Sequence, residues 1–499
     1  MFIAAVAQLR FAFALASGRP IPGWALDRLV AEAAKTAREF GPLGADGAEG
    51  VTGPTLDPEA RRTVQLHRFR SQAKRAAAET GFYSSLFRDL EIEPGSLDWE
   101  GIAGLPLTSK DALRADPDAF VRRGARPFLR AATTGTTGTP TRVAFSAAEL
   151  RTMAGLSALA FLFGGQLGPE DVVLKATSTR AMLSNVGVAG ACLGTRALLQ
   201  PVGLIEPAAT LALLAEGLRL PGRKPKVSWL STYPSYLGQL VETGLALGYR
   251  PSDFGLERIA VGGEIVTEGV KRRARRLFGD VRFEVSYGMT ETLPLGGTVC
   301  EQGHLHFEPS HGLMEIVGLD GGGPAGPDEA GTMVATPFPP FRETTLLLRY
   351  DTEDVVRALP ESLTCLLRHQ PATSDLLGKR RLAVHHEEGW TFPRQILEAL
   401  EAVDAVPLPA RCGFWAVPGG VAVEVAVGDD GPLARGLIER SLGEQGVPVR
   451  DLRLVTDPAE LRHPLPMRCD LREASFVTDP RRAVGEVGGP TAVVAGAWS

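Results

Sequence analysis

The chain has 499 residues, of which 44% are hydrophobic and 22% charged, with a formal net charge of −5. The length suits about three domain-sized units, and the mildly acidic balance (pI about 6.0) lacks the basic footprint of a partner for nucleic acid or acidic membranes. Cys192, Cys300, Cys365, Cys412 and Cys469 are too few and too scattered for a secreted disulfide framework, so a cytoplasmic setting is expected.

Met1 to Ala16 (MFIAAVAQLRFAFALA) is apolar, but Arg10 interrupts it, no basic residue opens it, and it is too short to span a bilayer. It reads as an amphipathic or partly buried helix. Val64, Leu66, Phe69, Ala73 and Ala77 recur at helical spacing and predict a helix over 58–80. From about 150 the texture alternates. Helix is expected at 147–163, strand at 171–179 (DVVLKATST), and a small-residue helix at 186–194 (VGVAGACLG). Strand (ALLQPVG), helix (EPAATLALLAEGL), and strand with turn (KVSWLSTYPSYL) follow. Then come strand (RIAVGGE), a helix closed by Gly279 (VTEGVKRRARRLFG), and strand (VRFEVSYGMTET). Strands alternating with helices predict a layered α/β fold with a largely parallel sheet. The basic run Lys271 to Arg276 reads as the solvated face of a helix. Beyond 300 the chain is β-rich. Beyond about 378 the order strand, helix, strands, helix, strand indicates a compact α+β unit, and the end from about 475 is rich in Gly, Ala and Pro. The expected architecture is a large N-terminal α/β domain over 1–377 with a β-rich subdomain, and a small C-terminal α+β domain over 378–499.

The stretch RAATTGTTGTPTRV (130–143) has no apolar period to bury. Its glycines let backbone N–H groups approach a ligand closely and its threonines add donors, a combination suited to phosphate oxygens. No Gly-Lys-[Ser/Thr] follows, so it is not a Walker loop. Three further motifs come after it in order: VGGE (Val261 to Glu264), SYGMTET (Ser286 to Thr292) and RYDTEDVV (Arg349 to Val356).

Together these four resemble the adenylate-forming superfamily, in its phenylacetate–coenzyme A ligase branch, over about residues 60 to 470. The resemblance implies ATP and Mg²⁺. Thr133, Thr134, Gly135, Thr136, Thr137, Gly138 and Thr139 would hold the β- and γ-phosphates. Gly262, Gly263 and Glu264 would line the adenine pocket, with Tyr287 and the adjoining Gly288 flanking the base. Thr290 would touch the α-phosphate and Glu291 would hold Mg²⁺, a hard cation that prefers oxygen. Asp354 would accept from the ribose hydroxyls. Gly378–Lys379 stands where the branch has its hinge Gly-Arg, the same distance before Phe392–Pro393, although Arg381 and Leu382 replace the expected aspartates. The C-terminal unit would then be a mobile lid. Walls for the acid are expected at Tyr233, Pro234, Ser235 and Tyr236, and at Asn185 and Gly187.

Two departures bear on chemistry. Thr139 occupies the place of a usual loop lysine, and LRHPLPMRCDLREASF (461–476) contains no lysine where the family carries one that bridges acyl carboxylate and nucleotide. Arg468 and Arg472, with His463 if protonated, are the available cations, and arginine differs from lysine in donor geometry. A lid with a weaker role in adenylation is therefore expected. Some members of the branch hold zinc through a Cys, a His and a later Cys pair. Cys300, His306 and Cys365 match in order, with His369 or His304 as fourth ligand, giving a structural site if zinc binds. Three functional readings follow. The first is activation of a small carboxylic acid as acyl-adenylate with transfer to coenzyme A or an amine. The second is an adenylyltransferase that leaves AMP on its substrate. The third is a degenerate nucleotide-binding scaffold. A homodimer is left open.

Overall fold

The computed structural model describes residues 2–41, 57–133, 140–164, 166–320, 323–360, 363–365, 367–428 and 431–470. In chain order the helices and strands begin with α1 (Phe2–Ser17), α2 (Gly23–Phe40), α3 (Pro58–Glu79), α4 (Gly81–Asp89), α5 (Trp99–Gly104) and α6 (Lys110–Ala115). The hairpin β1 (Leu129–Ala132) and β2 (Arg142–Phe145) follows. Next are α7 (Ala147–Phe163), β3 (Val172–Ala176), α8 (Met182–Thr195), β4 (Leu198–Pro201), α9 (Pro207–Ala215) and β5 (Trp229–Thr232). Then come α10 (Pro234–Ala246), β6 (Arg258–Gly262), α11 (Glu268–Phe278) and β7 (Arg282–Tyr287). The β-rich part holds β8 (Gly297–Val299), β9 (His304–Phe307), β10 (Gly312–Gly318), β11 (Ala330–Pro337), β12 (Tyr350–Arg357), β13 (Ala372–Ser374) and β14 (Gly378–Lys379). The chain continues with β15 (Val384–His386), β16 (Gly389–Thr391), α12 (Pro393–Glu401), β17 (Cys412–Val417), β18 (Gly420–Ala426), α13 (Gly431–Glu444) and β19 (Val449–Val455).

The central sheet runs β13-β9-β8-β7-β6-β5-β3-β4. Its half from β7 to β4 is parallel, and β8, β9 and β13 add on antiparallel. The parallel strands carry apolar residues on both faces, as burial on both sides requires. On one face Val172, Leu174, Leu230 and Ile259 join the core under α9, α10 and α11. On the other, Val173 and Trp229 pack with Ala191 and Cys192 of α8. A second, antiparallel sheet, β10-β11-β12-β14, stands beside the first. Residues 396–452 enclose a core of their own, between α12, α13 and the three-stranded sheet β17-β18-β19.

The expected elements are found, with one difference among them. The turn after β5 is a helix instead. Pro234 stands in its first turn, where a missing N–H costs nothing, and α10 runs on for thirteen residues. The N-terminal segment is a helix whose Ala7, Phe11 and Ala14 pack against α2 and α7. No helix among the described residues is long and apolar enough to cross a membrane.

α8 lies unusually close to α7. A Cβ at Gly190 would sit 2.5 Å from both Cα and Cβ of Ala154, and one at Gly194 would sit 2.5 Å from Ala158 Cβ. In an open helix Gly→Ala stabilises by about 1 kcal/mol. Here the methyl would collide with backbone, so Gly190→Ala is expected to destabilise by about 1–3 kcal/mol. The check is a lowered urea midpoint at unchanged slope; an unchanged or raised midpoint would contradict this packing.

Candidate active site

The motif residues converge where the parallel strands end, the edge at which open α/β sheets bind ligands. Two constraints shape this edge. Gly262 lies against β7, and a Cβ there would sit 2.6 Å from the Ser286 carbonyl oxygen. Gly263 has φ +82°, a left-handed conformation that L side chains rarely adopt. The chain thus turns sharply and delivers Glu264 towards the start of α10. The Glu264 carboxylate accepts from Ser235 N–H at 3.0 Å and from Arg468 N–H at 2.5 Å. Arg468 Nε donates to the Gly263 carbonyl at 2.9 Å, and its guanidinium lies 5.2 Å from the Tyr233 ring centroid. Cys469 N–H donates to Ser235 Oγ at 3.1 Å. The segment 467–470, distant in sequence, is therefore docked onto VGGE.

Beyond β7, Glu291 is buried, with Thr290 half-buried beside it. Glu291 Oε1 accepts from Tyr350 Oη at 3.1 Å and lies 3.5 Å from Lys110 Nζ. Its Oε2 has no hydrogen-bond partner among the described residues, which leaves an anionic oxygen for a hard cation. Tyr287 Oη donates to Asp354 Oδ2 at 2.9 Å, and Lys379 Nζ holds Asp354 Oδ1 at 2.8 Å and the Thr352 carbonyl at 2.9 Å. Burial, with a carboxylate next to each, pushes both the Tyr287 and Tyr350 hydroxyls well above the ordinary phenol range. They stay neutral donors. The Tyr287 ring also meets Phe307 edge to face.

The remaining expected residues divide. Thr133 closes the neck of the β1–β2 hairpin: its N–H donates to the Thr141 carbonyl and its Oγ1 accepts from Thr141 N–H. Thr134, Gly135, Thr136, Thr137, Gly138, Thr139 and Arg472 lie outside the described residues. Gly288 is exposed against Leu293. Asn185 sits in the first turns of α8, donating to the Thr179 carbonyl. Leu183 and Val186 beside it pack in the cluster that includes Tyr287 and Met289. Tyr236 is corrected: its hydroxyl pairs with Thr210 Oγ1 and the Ile205 carbonyl inside the main core, because one helical residue past Ser235 it is turned about 100° away, towards α9. Gly187 is also corrected, since it faces Ser157 of α7 and serves helix packing. Lys110, Tyr350 and Lys175 had no assigned role in the sequence reading. For Lys110 a local signal existed, since Ser109 caps the helix and fixes where Lys110 begins it.

A separate cluster lies across the strands β8 and β9. Ligand atoms of Cys300, His304, His306 and Cys365 all lie within 4.8 Å of one another, and Cys365 Sγ is 3.3 Å from His306 Nε2. His369 is exposed and outside this group, so His304 replaces it. The hairpin explains the choice: His304 and His306 share one face of β9, two residues apart.

The family model of AMP-binding enzymes matches residues 131–335. Phenylacetate-coenzyme A ligase of Thermus thermophilus is 27% identical over 366 residues, spanning 70% of this chain and 78% of that one. Both matches support a place for the chain in the adenylate-forming superfamily, in its phenylacetate–coenzyme A ligase-like branch. The crystal structure of 2-hydroxyisobutyryl-CoA ligase in the postadenylation state with 2-HIB-AMP superposes with TM-score 0.68 at 18% identity, covering 80% of this chain and 87% of that one. In its thioesterification state, with 2-HIB-AMP and CoA, the same ligase gives 0.57 at 19% identity, covering 82% and 89%. The chain thus shares the fold of that ligase and superposes better on the first of those two structures.

The basic run of α11 lies at the contact with the α12 region. Arg272 and Arg276 pair with Asp404, while buried Arg273 pairs with Glu242 and donates to the Val406 carbonyl. Arg272, Arg275 and Arg276 are exposed, as a solvated face requires, while buried Arg273 also docks the α12 region. A cleft of about 520 Å³ lined by Glu268, Arg272, Arg357 and Arg394 opens beside it, away from the motif residues. Within the contact Glu401 is buried; it accepts from Thr267 Oγ1 at 2.5 Å and Ala410 N–H at 3.1 Å. Burial raises its carboxyl to about 7, helped by Glu398 and opposed by these donors and Arg273. A carboxyl raised on folding stabilises fully below its unfolded value, and that contribution is lost as pH rises through the folded one. Glu401→Gln is therefore expected to leave stability unchanged near pH 4 and to raise it by about 1–3 kcal/mol at pH 8. Melting curves across that range check this; an equal effect at both pH values would contradict it.

Proposed function

We propose that the protein activates a carboxylic acid with ATP and passes the acyl group to a thiol, such as coenzyme A, or to an amine. The observation that carries this reading is the convergence of Glu291, Gly262–Glu264, Tyr287–Asp354 and Arg468 on one sheet edge. A substrate carboxylate oxygen attacks the α-phosphorus, the bond to the β-phosphate bridging oxygen breaks, and pyrophosphate leaves. The acceptor then attacks the acyl carbon and AMP leaves. Glu291 Oε2 with Thr290 would hold Mg²⁺, which neutralises phosphate charge as it shifts. Asp354 has both oxygens placed by Tyr287 and Lys379, with lone pairs left for ribose hydroxyls. Residues 378–499 act as the lid, hinged at Gly378–Lys379.

In this chain Arg468 supplies the cation that the missing C-terminal lysine would bring. Its support is its seat on the Gly263 carbonyl and over Tyr233. The expectation of a weak lid gives way to this reading. Arg468→Ala should slow adenylate formation about a hundredfold, roughly 2.7 kcal/mol of barrier, with Arg468→Lys restoring most of it. The assay is pyrophosphate release over a panel of acids, with and without coenzyme A. Glu291→Gln should abolish release at an unchanged melting temperature; full activity in that variant would remove the metal role from Glu291.

The Cys300, His304, His306 and Cys365 set fits a tetrahedral, structural zinc by ligand type and number. Purified protein should carry about one zinc per chain. Cys365→Ser and His304→Ala should lose it and His369→Ala should not. Metal content unaffected by the first two changes would refute this ligand set.

A further inference from the structure

Lys175 lies on β3 with only 3% of its surface exposed. Its neighbours Leu174 and Ala176 point into the main core, so Lys175 points to the other face, towards α8, as Val173 does. There its ammonium donates to Ser184 Oγ at 3.0 Å. That is its whole complement: no carboxylate of the described residues lies within ion-pair distance. The nearby Cys192 thiol is pushed up by burial to about 11 and is uncharged at neutral pH. Ser184 belongs to the first turn of α8, whose N-cap Ala181 offers no side-chain acceptor. The partly positive end of a helix therefore adds to the cost of placing a cation here. Burial pulls the Lys175 amine down to about 8.

A buried ammonium normally has a carboxylate partner, because its desolvation is otherwise uncompensated. Here the chain provides one hydroxyl. Ser231, the register partner of Lys175 on β5, shares its face of the sheet, is buried, and its hydroxyl has no hydrogen-bond partner among the described residues. Two residues beyond Ser231 is Tyr233, under the Arg468 guanidinium. The polar group thus lies between the central sheet and the first turn of α8, where Ser184 is exposed, next to the strand ends where the site motifs gather.

We propose that Lys175, Ser184 and Ser231 form an anion-binding floor, and that the acid activated by this chain carries a second carboxylate that reaches it. This rests on the acid-activation reading above. The activated carboxylate faces Arg468 and Thr290, and the distal one pairs with the ammonium. The substrate class is then a short dicarboxylic acid.

The test compares length-matched pairs: succinate with butyrate, glutarate with pentanoate, adipate with hexanoate, and terephthalate with 4-methylbenzoate. Pyrophosphate release is measured for the wild type, Lys175→Met and Ser231→Ala. Thermal shifts with each acid alone are measured in parallel. The wild type is expected to favour one diacid over its monoacid partner at least tenfold in kcat/KM. Lys175→Met should erase or invert that ratio while keeping release from the monoacid, and should melt no lower than the wild type without ligand. Ser231→Ala should reduce the ratio severalfold, which keeps the test open if Lys175→Met fails to fold. Equal or better use of monoacids by the wild type, or a ratio untouched in either variant, overturns the floor and leaves acid activation standing. Stabilisation by diacids that depends on Lys175, with no pyrophosphate released from any acid, upholds the floor and sinks acid activation. Neither stabilisation nor release overturns both.

Discussion

The Asp354 carboxylate is where the two sheets and the C-terminal unit are tied together. Tyr287 reaches it from the end of the parallel sheet, and Lys379 reaches it from β14, which pairs with β12 in the second sheet. The group is nearly inaccessible to water, so each donor matters more than it would at the surface. Removing one member of such a buried pair costs about 3–5 kcal/mol. The placement of the Asp354 carboxylate therefore depends on where β14 seats Lys379. Under the proposed hinge, a rotation that carried Lys379 off Asp354 would have to supply another cation or a hydroxyl pair, and the proposed nucleoside offers the latter.

The rest of the site is organised outward from that point by charge. Three acidic residues of the motifs already have donors: Glu264 has Ser235 and Arg468, Glu291 has Tyr350 and Lys110, and Asp354 has Tyr287 and Lys379. The carboxylates are thus oriented before any ligand arrives, which limits the reorganisation that binding and reaction require. Lys110 stands 3.5 Å from the oxygen of Glu291 that Tyr350 also holds, leaving the other oxygen outward.

Much of this was legible in the sequence. The alternation of strands and helices from 150 to 290 is a periodicity signal strong enough to read residue by residue, and the motif order located the sheet edge. What was not legible depends on what lies opposite a residue. Tyr236 looks like a pocket aromatic until α9 is seen to offer Thr210 to its hydroxyl. Gly187 looks like room for a substrate until α7 fills it. His304 and His369 were equal as ligands in a linear string, and only the β8–β9 hairpin, with Thr298 opposite His306, separates them. Lys110 and the docking role of Arg273 were hidden for the same reason: their partners are 181 residues away at Glu291 and 133 residues away at Val406.

The contact between α7 and α8 has a consequence for diversification. Gly190 brings α8 against the Ala154 backbone, Gly194 meets the Ala158 and Val30 side chains, and Gly155 lets α7 approach the Leu26 side chain of α2. A wall built so tightly has no play. It cannot slide outward to admit a bulkier molecule, and a random change at any of these glycines strikes a neighbour rather than opening space. Under the proposed acid site, variation in the acids accepted is therefore channelled into other α8 side chains, such as Ser184 and Val188. A library aimed at new acids should diversify those positions and leave the glycines alone.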